Sequence, residues 1–221
     1  MNKLPNLLPN DVISRAKELS STLLADALNG TTTMDYNIKP VKSGMSFVGT
    51  ALTVDVAPGD NLFLHHAIYS GESGYVIVCD GKSHTDRAYL GELMAHSAHA
   101  IGLDGIVIDG LVRDRNELSA LDFPIFAKGF ISSGPFKNGP GKFNVPVKCG
   151  DVQVIPGDLV VGDDDGVTVV PKDQIDLALV KAESKLKYEI ERINSINEYK
   201  SGKSADLKKP SWLDEKIDQY I

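Results

Sequence analysis

Two short apolar runs, Tyr75-Val76-Ile77-Val78-Cys79 and Gly105-Ile106-Val107-Ile108, each closed by Asp-Gly, limit what this chain can become. Runs this rich in β-branched residues, without polar alternation, suit strands buried on both faces. Between them the apolar period changes. Ala88, Gly91, Met94, Ala95, Ala98 and Ile101 recur at three- and four-residue steps, the stripe of an amphipathic helix, and Gly102 supplies a stop. Strand, helix and strand in succession predict two parallel strands of one sheet. In such a unit the loops after the strands share one sheet edge, where ligands bind. The helix start at Gly91, Glu92 and Leu93 and the loop at residues 111–114 belong to that edge.

The rest of the chain supports a mixed α/β domain. Residues 9–29 read as two short helices broken at Ser20-Ser21-Thr22, where hydroxyls cap the second, and Gly30 ends it. Residues 31–44 read as a polar connection and 47–56 as a strand, with Gly49 marking a bulge or a close backbone approach. Pro58-Gly59-Asp60-Asn61 is a turn into a helix over 62–69, with Asn61 its expected cap. A loop over 82–87 precedes the helical stripe, and its Asp86 and Arg87 are candidates for touching a substrate. A short helix over 115–121 and a third buried strand over 123–127 follow. Residues 134–142 lack the G-x-x-x-x-G-K-[ST] spacing of a phosphate loop and read as a flexible loop. Residues 145–170 are strand and turn throughout, with Asp165-Gly166 a hairpin signal. A long charged helix covers 173–197. The expected domain is therefore one, residues 1–221, with N-terminal helices at about 9–29 and a C-terminal helical extension at about 173–221.

Composition narrows the partners. A chain of 221 residues, 42% hydrophobic and 24% charged, can bury a core, and its net charge of −7 argues against a nucleic-acid backbone as partner. Cys79 and Cys149 read as reduced structural thiols. The start of the chain lacks a signal-peptide core and no run approaches a membrane span, so the expected compartment is the cytoplasm, with no membrane partner. The five histidines do not follow a zinc spacing such as H-E-x-x-H.

The 91–114 edge carries chemistry. Arg113 offers a fixed cationic fork for a carboxylate or a developing enolate oxygen, and Asp114 a hard oxygen ligand. A Mg2+ ion often takes one or two protein carboxylates and leaves its other positions to water and substrate. Glu92 could hold a metal-bound water. Against this stands a plain surface Arg-Asp pair and an acid at a helix N-terminus, where acids are favoured anyway.

V-I-V-C-D-G, A-Y-L-G-E-L-M-A, G-I-V-I-D-G-L-V-R-D and F-P-I-F-A-K-G together resemble the RraA-like family, which contains class II pyruvate aldolases acting on 4-hydroxy-4-methyl-2-oxoglutarate. The resemblance covers roughly residues 20–200. That aldolase branch is marked by an acidic residue, twenty intervening residues and Arg-Asp; Glu92 and Arg113-Asp114 reproduce the spacing, with Glu where the pattern has Asp. The resemblance implies a swivelling phosphohistidine-domain-like fold with a β-rich core and flanking helices, in which P-G-D-L-V-V and D-D-D-G-V mark a second β layer. It also implies a homotrimer or homohexamer, with the site between subunits. Asp114 would hold Mg2+ or Mn2+, Arg113 would stabilise an enolate oxygen, and Glu92 would order a water for proton relay. Gly91, Glu92, Leu93, Met94 and Arg113 would bind a small 2-oxoacid, and Glu189, in a K-x-E-x-x-R-like text, would reach the metal through water from a neighbouring subunit. The implied reactions are retro-aldol cleavage of 4-hydroxy-2-oxoacids to pyruvate and decarboxylation of oxaloacetate. A regulator branch that binds ribonuclease E tends to lack the final Asp, so Asp114 favours the enzyme. Methyl transfer to a quinone, a label also attached to the family, finds no glycine-rich nucleotide-binding turn.

Overall fold

The computed structural model describes residues 3–221. The chain divides into two compact units, one ending at Ala182 and one spanning Glu183–Ile221, so the division falls inside the extension expected from residue 173.

The first unit opens with α1 (Asn10–Lys17) and α2 (Ser21–Ala27). The Ser20 hydroxyl caps α2 by accepting from the Leu23 N–H at 3.2 Å. Then come β1 (Lys39–Pro40), β2 (Phe47–Val56), α3 (Leu62–Ser70), β3 (Tyr75–Leu90) and α4 (Glu92–Ile101). These are followed by β4 (Gly105–Val112), α5 (Arg115–Ala120), β5 (Ile125–Phe130) and β6 (Gly141–Phe143). Two antiparallel pairs close the series, β7 (Val147–Cys149) with β8 (Val152–Val154) and β9 (Leu159–Asp163) with β10 (Gly166–Val170).

One sheet runs in the order β1-β5-β4-β3-β2-β9-β10, and β6 pairs the end of β2. Its centre, β2 to β5, is parallel, as the strand-helix-strand reading requires. The strand period of two divides the buried residues between two cores. Leu52, Ile77, Cys79, Ile106 and Ile108 face α3 and α4, while Ala51, Val76, Val78, Val107 and Phe126 pack with the β7–β8 hairpin. The P-G-D-L-V-V and D-D-D-G-V segments are β9 and β10, which extend the main sheet through antiparallel pairing with β2; the separate pair is β7–β8.

Several local expectations are corrected. The strand does not stop at Asp80-Gly81. Lys82 and Ser83 take positive φ, which kinks β3, and the chain then pairs β4 again at Ala88↔Leu111 and Leu90↔Val112. Exposed polar side chains make 82–87 look like a loop, although the strand keeps one pairing there, His84↔Gly110, between two register shifts. The helix consequently starts at Glu92 rather than Ala88. Residues 39–40 add a short edge strand inside the expected polar connection. Asn61 does not cap α3 with its side chain; the Asp60 carboxylate accepts from the Leu62 N–H at 2.9 Å instead. The 134–142 loop is tied down, since Asp60 also accepts from the Asn138 and Gly139 N–H groups at 2.5 and 3.0 Å.

Helix α6 (Ile175–Lys200) begins in the first unit, where Ile175, Ala178, Leu179 and Ala182 are buried. Its later turns and α7 (Leu213–Ile217) belong to the second unit. Among the described residues no helix is long and apolar enough to cross a membrane.

Candidate functional site

The C-terminal ends of β3 and β4 lie side by side, and the Arg113 N–H donates to the Leu90 carbonyl at 2.9 Å. That bond sets Arg113 and Asp114, which follow β4, against Gly91, the residue between β3 and α4. Gly91 has an ordinary extended backbone, φ −141°, so glycine is needed for space rather than for conformation. A Cβ there would lie 2.4 Å from Asp114 Oδ2 and 3.0 Å from Arg113 Nε.

Asp114 precedes α5 in the left-handed region, φ 63° and ψ 50°, and makes no side-chain cap to that helix. An aspartate in this position commonly caps its own helix. Here its Oδ2 accepts from the Glu92 backbone N–H, the first of α4, at 2.9 Å. The carboxylate is thus drawn to the positive end of a different helix. Arg113 Nε stands 3.7 Å from the same oxygen.

These groups open on a cleft of about 470 Å3. Gly91, Glu92, Leu93, Met94, Arg113 and Asp114 all line it, while Asp86 and Arg87 do not, so the structure brings together six of the seven residues that the family resemblance implies for the site. The seventh, Glu189, lies on α6 in the second unit, 4.0 Å from Lys185. The Glu92 side chain is half exposed, with Oε1 4.0 Å from His96 Nε2. The first-turn N–H groups of Leu93 and Met94 have no partner inside an α-helix and suit an anion.

The cleft also takes residues that carry no chemical role in the sequence reading: Asn61, His65, Tyr89, Glu117, Pro135 and Lys137. Asn61, 2% exposed, donates from Nδ2 to the Tyr89 carbonyl at 2.9 Å and to Met94 Sδ at 3.1 Å, tying the start of α3 to α4. Burial, with the Lys137 ammonium nearby, holds His65 below its usual range, so it is neutral at pH 7. Tyr89 accepts from the Gly59 N–H at 2.9 Å and donates to the Gly81 carbonyl at 2.6 Å. Burial pushes its hydroxyl up to about 12. The P-G-D-N turn and the 134–142 loop were visible as turns, and nothing in their text marks them as cleft walls. Arg87 turns to that loop instead of the cleft, its Nη1 donating to the Gly134 carbonyl at 2.7 Å.

Among the described residues no three of His, Cys, Asp or Glu gather as a metal cage. A hard divalent ion such as Mg2+ often takes only one or two protein carboxylates, and Asp114, whose carboxylate lines the cleft without capping its own helix, is the residue that could hold one. The space a Cβ at Gly91 would fill lies against the Asp114 carboxylate. A second hollow, about 520 Å3, is lined by residues 42–46 and 120–124 before β2 and β5, with Lys42 and Asp122 its charged side chains. It lacks the convergent arginine, carboxylate and helix start of the first.

Comparison with known proteins places the chain. The family model described as RraA-like: Aldolase/RraA matches residues 21–169. A protein of Halalkalibacterium halodurans provisionally named 4-hydroxy-4-methyl-2-oxoglutarate aldolase is 43% identical over 175 residues, covering 79% of this chain and 83% of its own. A solved structure of an uncharacterised Pseudomonas syringae protein superposes with a TM-score of 0.78 at 28% identity, covering 87% of this chain and 95% of that one. The RNA-processing inhibitor RraA from Thermus thermophilis gives a TM-score of 0.63 at 28% identity, covering 68% and 92%.

Proposed function

The chain belongs to the RraA-like family, and from that premise we propose that it is a lyase acting on 2-oxoacids. In this reading it cleaves 4-hydroxy-4-methyl-2-oxoglutarate-type substrates to pyruvate and decarboxylates oxaloacetate. The observation that carries it is the meeting of Arg113, Asp114 and the first turn of α4 around one cleft. The 43% identity to a provisionally named aldolase supports the same class.

Asp114 would hold a Mg2+ or Mn2+ ion, with Glu189 of the partner subunit reaching it through water, and the ion would supply Lewis acidity at the 2-oxo group. The Leu93 and Met94 N–H groups bind the C1 carboxylate. Arg113 donates to the 2-oxo oxygen as negative charge gathers there, a role preorganised donors perform at low cost. A water ordered by Glu92 takes the proton of the 4-hydroxyl. The C3–C4 bond then breaks, its electron pair moves toward C2 to give the pyruvate enolate, and the returning proton is placed on C3. With oxaloacetate the same bond breaks and CO2 leaves. One enolate serves both reactions.

The test is pyruvate release from 4-hydroxy-4-methyl-2-oxoglutarate and from oxaloacetate, with Mg2+ or EDTA, subtracting the rate of free Mg2+ on oxaloacetate. Turnover should require metal, and Arg113→Ala and Asp114→Ala should each lower kcat by about 10²–10³-fold. A folded wild type no faster than these variants would refute the reading. The likeness to the RNA-processing inhibitor would then favour a non-catalytic regulator that binds ribonuclease E or another protein.

A further inference from the structure

Arg113 is 3.7 Å from Asp114 and nearly half exposed, which leaves the direction of its guanidinium to other contacts. One is backbone. A Cβ on Gly134 would lie 2.8 Å from Arg113 Nη1, so the chain at Gly134 lies directly against the guanidinium. The loop at residues 133–139 is anchored on both sides of that point. Arg87 Nη1 donates to the Gly134 carbonyl, and the Arg87 guanidinium lies 3.8 Å over the Phe136 ring. The Ala88 N–H donates to the Ser133 carbonyl at 2.9 Å, and Phe136 exchanges backbone bonds with Gly59 and Asn61 at 2.8 and 3.0 Å. Asp60 holds the far end through Asn138 and Gly139.

We propose that Arg87, assisted by Asp60, is a positioning residue that holds the Gly134 backbone against Arg113 and so aims its guanidinium into the cleft. Arg87 itself stays outside the cleft and acts through the loop. The link to catalysis rests on the lyase reading; the link to Arg113 geometry does not.

Two measurements test it together. Steady-state kinetics on a 2-oxoacid substrate, and 15N relaxation of the Arg113 Nε–H, are compared for wild type, Arg87→Met, Arg87→Lys and Gly134→Ala, with urea unfolding as the check on folding. Arg87→Met should lower kcat about tenfold with KM within about twofold, because misaiming a group that acts in the transition state costs turnover more than binding. The Arg113 Nε–H should lose order. Arg87→Lys, which keeps a donor and a cation over Phe136, should recover most of both. Gly134→Ala, which leaves Arg87 in place but crowds Nη1, should lower kcat in the same way. Unchanged order at Arg113 in Arg87→Met would overturn the proposal, as would a loss of activity that follows the unfolding midpoint and is not recovered by Arg87→Lys. A wild type inactive on 2-oxoacids would instead reject the lyase reading, and the relaxation data would still decide whether Arg87 positions Arg113.

Discussion

One methyl group at position 91 tests the core of the site. Gly91→Ala keeps an allowed backbone but places a Cβ 2.4 Å from Asp114 Oδ2, so the carboxylate must move off the Glu92 N–H. Metal affinity, measured by calorimetric titration with Mn2+, should fall about tenfold or more, while the unfolding midpoint changes little. Tight metal binding in a folded Gly91→Ala protein would mean that Asp114 is not the ligand. At this scale the sequence was most informative where neighbours in the text are neighbours in space. Arg113, Asp114 and residues 91–94 were legible because a single strand-helix-strand unit delivers them. Asn61, His65 and Lys137 were not, because they enter from α3 and the 133–139 loop, whose positions follow from side-chain anchors such as Asp60 that leave no periodic trace.

The elements were legible wherever burial enforces a pattern. The strands from β2 to β5 were found because apolar runs reported them, and the β9–β10 turn because Asp165-Gly166 did. The second half of β3 is not legible, since residues 82–87 carry polar side chains and pair with β4 only at His84, and the buried Ala88, Tyr89 and Leu90 rejoin that strand after register shifts. Asp60 governs the neighbouring loop, and its ionisation can be followed. Burial raises its carboxyl, but N–H bonds from Leu62, Asn138 and Gly139 outweigh this and hold it below the usual 3.8. A carboxyl lowered on folding contributes stability that is present above its unfolded value and lost as pH falls through the folded one. Asp60→Asn should therefore cost about 1–3 kcal/mol at pH 7 in urea unfolding. The gap from wild type should narrow below about pH 3.8. An equal gap at pH 7 and pH 3 would show that the charge of Asp60 contributes nothing.

The whole molecule divides after Ala182, within a helix that the charge pattern presented as a single extension. A chain ending at Ala182 should lose the helical circular dichroism of the removed turns but keep a cooperative unfolding transition, because the two cores lie in the first unit. It should lose metal-dependent turnover along with Glu189, and Glu189→Gln in the full chain should reproduce part of that loss. Full activity in the shortened chain would remove Glu189 from the site. The left-handed backbone of Asp114 has its own bearing on global stability. Aspartate tolerates that region better than most side chains, and any strain left is offset by the bond its carboxylate accepts from the Glu92 N–H, so Asp114→Gly should leave the unfolding free energy within about 1 kcal/mol of wild type while removing the carboxylate. A library of this protein sorted for heat resistance alone would thus scarcely constrain the residue that carries its proposed metal ligand, and selection for robustness would need a second sort on turnover to keep position 114 acidic.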